Sequence, residues 1–205
     1  MSKFFWFGWV LSRSAAAVCH VKISGKEHIP KKGPFILASN HISNFDPPIM
    51  GSCSGRELHF LAKKQLFDNL LAKWWLLGVN SIPLNRGAID RTALAKCLDA
   101  LKKGNGLVIF PEGTRSKTGD FLSPKPGIGM LAIQAKCPIV PAFVQGTDRL
   151  SSCFLGRSKL LVSFGEPIPA EWLESIPPEK ENFHMVASTV MERIKALKEK
   201  TLSLK

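Results

Sequence analysis

The stretch Ser39-Asn40-His41-Ile42-Ser43-Asn44-Phe45-Asp46-Pro47-Pro48 follows directly on the apolar run 34–38. An apolar run of that length, closed by small polar residues and two prolines, predicts a buried strand that ends in a turn and hands the chain to a helix. His41 and Asp46 then stand at the carboxyl end of the strand, where open α/β sheets place their chemistry. Across so tight a turn the carboxylate can accept one ring N–H of the imidazole, fix its tautomer and leave the other nitrogen as a base. A plainer reading makes His41 a turn histidine and Asp46 the N-cap of the following helix. The pair by itself leaves both open.

Downstream, Phe110-Pro111-Glu112-Gly113-Thr114-Arg115-Ser116 closes a second apolar run, 107–110, and so forms a second loop at a strand end. Its glycine permits close approach, and its hydroxyl and guanidinium fork suit a phosphate. Glu112 cannot hold an anion; its expected task is to orient Arg115 or to accept backbone N–H groups.

His-x4-Asp followed by Glu-Gly-Thr-Arg, in this order and at this approximate separation, resembles the glycerolipid acyltransferase family, over about residues 25–165. In that family the His and Asp are the catalytic pair. The Glu-Gly-Thr-Arg loop, with an Arg ending an intervening strand, holds the acceptor's phosphate. The resemblance therefore implies catalytic roles for His41 and Asp46, and substrate-binding roles for Arg86, Glu112, Gly113, Thr114 and Arg115. Lys63 joins them because Ala62-Lys63-Lys64 matches a lysine position of the family, and Val140-Pro141 matches a later turn. The chain departs from the pattern at Pro83-Leu84-Asn85-Arg86, where an apolar or acidic residue often precedes the arginine. The implied reaction moves a fatty acyl group from a thioester, acyl-CoA or acyl carrier protein, to the 2-hydroxyl of 1-acylglycerol 3-phosphate, giving phosphatidic acid. Glycerol 3-phosphate or another lysophospholipid is the alternative acceptor. A membrane-binding module is the alternative outside enzymes, and it would have no need of His41 and Asp46.

The chemistry read from the residues agrees. An alcohol attacking a thioester needs a base and donors for the developing oxyanion. No G-x-S-x-G elbow supplies a serine nucleophile, so direct attack without an acyl-enzyme is the simpler route. No His, Cys or carboxylate cluster has metal-ligand spacing, and neither metal nor cofactor is expected.

A chain of 205 residues suits one domain. Its 28 Lys and Arg against 16 Asp and Glu, a net charge of +12, imply anionic partners. No run of five or more basic residues and no zinc spacing favours nucleic acid; 13 Phe and 5 Trp without a Tyr favour anionic lipid. The 5 cysteines are odd in number and lack C-x-x-C spacing, as reduced, buried thiols would be.

Residues 4–21 are apolar and aromatic but are split by Arg13, too short and too interrupted to span a bilayer. A membrane-interface helix over 1–20, with the acyltransferase domain over 21–205, is the expectation, placing the protein peripherally or monotopically on the cytoplasmic face of a membrane. A helix packed on the protein's own core and a cleaved signal are the rival readings. Strands are predicted at 20–24, 35–38, 57–62, 81–84, 107–110, 139–144 and 159–164. Helices are predicted at 65–78, 88–103, 128–136 and 182–200, with another beginning in 48–52. The stripe in 65–78 reads first as core and second as bilayer contact, residues 111–126 as a long functional loop, and 167–178 as a linker. Strands alternating with helices give an α/β fold, a mostly parallel central sheet flanked by helices and resembling the glycerophosphate acyltransferases.

Overall fold

The computed structural model describes residues 21–85 and 90–203. The expected interface helix at 1–20, and Arg86 with it, lie outside the described residues. Seven strands form one sheet: β1 (Lys22–Ser24), β2 (Phe35–Ser39), β3 (Leu58–Lys63), β4 (Ser81–Leu84), β5 (Gly106–Ile109), β6 (Ile139–Gln145) and β7 (Leu161–Phe164). Their order is β1-β7-β6-β2-β5-β3-β4, with β6, β2, β5, β3 and β4 all parallel. β7 pairs antiparallel to β6 and parallel to β1, so this edge of the sheet runs the other way.

Central position explains the composition of β2. Each of its five residues is buried, because both faces of the strand are covered. Alternation then divides them. Phe35 and Leu37 join one core with Val108, Val140 and Val144; Ile36 and Ala38 join the other with Leu107, Ile109 and Ile139. Gly106, opposite Phe35 in register, keeps the first core closed: a Cβ there would come within 2.6 Å of the Phe35 ring and 2.5 Å of Leu58.

Helices cover both faces. α1 (Asp46–Ser54) packs Ile49, Met50 and Cys53 onto the Phe35 side. On the other side lie α3 (Arg91–Lys102), α4 (Gly127–Ala135) and α7 (Lys180–Ser203), the last through Val186, Val190 and Ile194. α4 and α7 touch backbone to backbone at Gly129, where a Cβ would sit 2.1 Å from the Phe183 carbonyl oxygen. Two short helices, α5 (Leu150–Phe154) and α6 (Ala170–Glu174), were not expected from the sequence; α6 occupies the middle of the supposed linker.

The predicted helix over 65–78 is two pieces. A 3-10 turn covers Lys64–Phe67, and α2 (Leu70–Gly78) begins afresh after Asn69, whose side chain caps it by accepting from the Ala72 N–H. The preference for a core-facing stripe is also corrected. Leu70 and Leu71 are each 79% exposed, Trp74 60% and Leu77 52%, and the strand that this helix leads into, β4, is the edge of the sheet. Pro83 sits on that edge strand, where a missing N–H is tolerated.

Candidate active site

Three adjacent parallel strands deliver the site. β6, β2 and β5 are neighbours in that order, so their carboxyl ends open on one edge of the sheet and their loops meet there. The loop after β2 carries His41, the loop after β5 carries Glu112 to Arg115, and the turn after β6 carries Thr147.

Asp46 opens α1 with Pro47 and Pro48 behind it, where absent N–H groups cost nothing. Its side chain is not an N-cap. Phe45 holds that position, and the Asp46 carboxylate turns back instead to the loop. Oδ2 accepts from His41 Nδ1 at 2.7 Å, from the Ile42 N–H at 2.7 Å and from the Ser43 N–H at 2.8 Å. Oδ1 accepts from the Thr147 hydroxyl. Asp46 is 0% exposed, and these four donors engage both of its oxygens. His41 therefore carries its ring proton on Nδ1, and its Nε2 keeps a lone pair. Phe110 stacks against the imidazole, ring centroids 4.0 Å apart and planes 16° from parallel, which removes another degree of freedom from the ring. Such an arrangement can serve as a base and its orienter.

Glu112 is 1% exposed and binds the second loop to the first. Its Oε1 accepts from the His41 backbone N–H at 3.3 Å and its Oε2 from the Leu122 N–H at 3.2 Å. Of the two tasks expected for it, accepting N–H groups is the one observed. Burial pushes its carboxyl above the ordinary glutamate range, against the pull of those two N–H groups. Ser116 adds a second tie by donating its N–H to the His41 carbonyl at 2.8 Å, and Lys125 closes the loop onto Pro111. Residues 111–126, which form neither helix nor strand, are thus held at both ends and in the middle. Gly113 takes φ 68, a conformation open to glycine, and leaves Thr114 and Arg115 exposed beside His41's loop.

Both Thr114 and Arg115 line a cleft of about 900 Å³ that is floored by Asn40, Ile42 and the end of β6. Lys63, at the end of β3, is exposed on the opposite flank and does not line it. The predicted phosphate ligands are therefore not gathered on one side of His41.

Three contributors were missed from the sequence. Thr147 reaches Asp46, Ser116 reaches His41, and Asn40 exchanges two 2.9 Å bonds with the backbone of Val144, fastening the His41 loop to β6. Adjacency to the motifs could have flagged Asn40 and Ser116; Thr147 had no local signal. The described cysteines, Cys53, Cys97, Cys137 and Cys153, are all buried, and burial pushes the thiols of Cys97 and Cys137 up to about 12, so these two are inert. Among the described residues no group of three or more His, Cys, Asp or Glu could hold a metal ion.

Comparison with known proteins places this geometry. A family model described as Acyltransferase matches residues 20–145. The chain is 30% identical over 182 residues to 1-acyl-sn-glycerol-3-phosphate acyltransferase of Bacillus subtilis, covering 88% of this chain and 89% of that one. It is 36% identical over 161 residues to the Saccharomyces cerevisiae protein of the same name, covering 74% of this chain and 52% of the yeast protein. The crystal structure of the 1-acyl-sn-glycerophosphate (LPA) acyltransferase PlsC from Thermotoga maritima superposes with a TM-score of 0.75 at 26% identity, over 96% of this chain and 79% of that one.

Proposed function

The chain belongs to the acyltransferase family, and on that premise we propose that it acylates the 2-hydroxyl of 1-acylglycerol 3-phosphate from a thioester donor, making phosphatidic acid. The observation that carries the reading is the His41–Asp46 pair, oriented by four donors to the carboxylate and opening beside the loop that Glu112 ties to it. Relatives named for this reaction support the choice of acceptor.

In the proposed mechanism His41 Nε2 takes the proton of the acceptor hydroxyl as its oxygen attacks the thioester carbon. The C–O bond forms, the tetrahedral intermediate collapses, the C–S bond breaks, and the imidazolium returns its proton to the departing sulfur. Asp46 stabilises the imidazolium and keeps Nε2 aimed outward. Arg115 and Thr114, freed by the turn at Gly113, meet the acceptor's phosphate; Lys63 approaches it from the flank of β3. Glu112 acts by holding this loop against the backbone of His41.

We place the protein peripherally on the cytoplasmic face of an anionic membrane. Exposed Leu70, Leu71, Trp74 and Leu77 on α2, near the exposed cations Lys63, Lys64 and Lys73, support contact with an anionic bilayer. Among the described residues no helix is long and apolar enough to cross a membrane.

The test offers purified protein an acyl thioester with a panel of acceptors, namely 1-acylglycerol 3-phosphate, glycerol 3-phosphate and neutral or zwitterionic lysophospholipids, and identifies products by mass. Phosphatidic acid as the main product is expected. Exclusive acylation of glycerol 3-phosphate or of another lysolipid would move the assignment to that acceptor, and no transfer to any of them would leave a membrane-binding module.

A further inference from the structure

The cleft beside His41 is far more basic than one acceptor phosphate requires. Arg115, Lys117, Arg149, Arg157, Lys159 and Lys198 line it against a single carboxylate, Asp148. Asp148 pairs only with exposed Arg149, and none of Lys117, Arg157, Lys159 and Lys198 has an ion-pair partner among the described residues. Cations gathered around a concavity repel one another, and a polyanion entering it relieves that repulsion while displacing little but water.

Resting on the acyl-transfer reading, we propose that the far part of this cleft, formed by Arg149, Arg157, Lys159 and Lys198, is the seat of the phosphorylated nucleotide of a coenzyme A thioester. Three observations lead there. The cleft runs from Asn40 and Ile42, the residues flanking His41, outward past the end of β6 to the β6–β7 connection and α7. Thr114 and Arg115, assigned to the acceptor's phosphate, line the end of the cleft whose loop is tied to His41 through Ser116, and Lys63 lies across β2 and β5, so the far part is left for the second substrate. The cleft's concave form of about 900 Å³ is of the size that small-molecule sites take. Arg149, Arg157, Lys159 and Lys198 all lie beyond residues 20–145, outside the stretch that the family model matches. Recognition of the nucleotide is thus assigned to the chain's own carboxyl-terminal part. Lys198 is already steered into place by the ring of Phe121, 5.0 Å away.

The experiment compares wild type with R157Q/K198Q and with R157E/K198E, using three donors of the same acyl chain: acyl-CoA, acyl-pantetheine and acyl carrier protein. Adenosine 3′,5′-bisphosphate binding by calorimetry is measured in parallel. Both positions are on the surface or partly exposed, so the Gln pair folds even where the Glu pair does not, and thermal melting checks this. The expected result is a rise in KM for acyl-CoA on the order of tenfold in the Gln variant and more in the Glu variant. The preference for acyl-CoA over acyl-pantetheine should shrink by the same factor, with matching loss of bisphosphate affinity. A KM rise confined to the lysophosphatidate acceptor would make the cleft the acceptor's site and overturn the proposal. A loss confined to acyl carrier protein would make it a docking face for that partner, and unchanged donor constants would refute any donor role. If wild type transfers acyl groups from none of the donors, it is the acyl-transfer reading that fails.

Discussion

The Thr147 hydroxyl donates to Oδ1 of Asp46 across 101 positions of sequence, with both residues essentially sealed from solvent. Asp46 takes its other three donors from its own loop, so Thr147 is the contact through which β6 holds the carboxylate against His41. Thr147→Val should leave a buried carboxylate oxygen unsatisfied, at a cost of about 1–3 kcal/mol. Turnover should fall roughly tenfold with little change in either KM, and Thr147→Ser should restore most of it. A merely structural contact would lower the melting temperature and leave kcat per folded molecule untouched, which steady-state kinetics on the folded fraction will reveal.

His41→Ala removes the proposed base and should reduce turnover by on the order of 10²- to 10⁴-fold with the far-UV circular dichroism unchanged. Asp46→Asn should also be slow, because an amide no longer demands the Nδ1–H tautomer and its NH₂ group confronts the N–H groups of Ile42 or Ser43. Near-wild-type rates in His41→Ala would end the general-base mechanism.

Arg115→Ala should raise the acceptor's KM well above any effect on the donor's, and Arg115→Lys should recover only part of the loss, since an ammonium lacks the bidentate fork. Lys63, on the opposite flank, gives an independent reading of the same assignment: Lys63→Ala should act on the acceptor alone. An effect of Lys63→Ala confined to the donor would reverse the two flanks.

Glu112 makes a pH-dependent contribution of defined sign. Its folded carboxyl titrates above the ordinary value of 4.5 because burial disfavours the charge. In the window between the two values the folded chain holds more proton than the unfolded one, so stability falls as pH rises from 4.5 towards the raised value and is level beyond it. Glu112→Gln lacks this decline. The melting temperature of the wild type minus that of Glu112→Gln should therefore decrease across that window, and a difference that grows with pH would contradict the assignment.

Replacing Leu70, Leu71 and Trp74 by serine removes exposed apolar surface without touching the core clusters. Each side chain embedded in a bilayer contributes roughly 1.5–3 kcal/mol before ordering costs. Co-sedimentation with anionic vesicles should drop sharply, and activity towards a water-soluble short-chain acceptor should persist. Sedimentation equal to that of wild type would move the attachment away from α2, with residues 1–20 the next segment to delete.

What the sequence determined by itself was most of what depends on neighbours along the chain, short of the helices α5 and α6 and the break at Asn69. Apolar runs marked the central strands, for a strand buried on both faces, as β2 is, needs an unbroken apolar stretch, while the edge strand β1, Lys22–Ser24 with exposed ends, is legible from alternation. The His41–Asp46 contact is legible for the same reason: five residues and a proline-locked helix start leave the carboxylate few places to go. Strand order is a different matter, because no local pattern encodes which strands become neighbours. Only the order β6-β2-β5 brought Thr147 to Asp46, Glu112 to the backbone of His41, and Asn40 to Val144. The same holds for surfaces. The apolar periodicity of α2 stated that one side avoids water, but whether protein covers that side depends on where the sheet ends, and the sheet ends at β4. Arg157 and Lys198, 41 residues apart in a chain rich in cations, became one site only when β7 and α7 folded back beside β6.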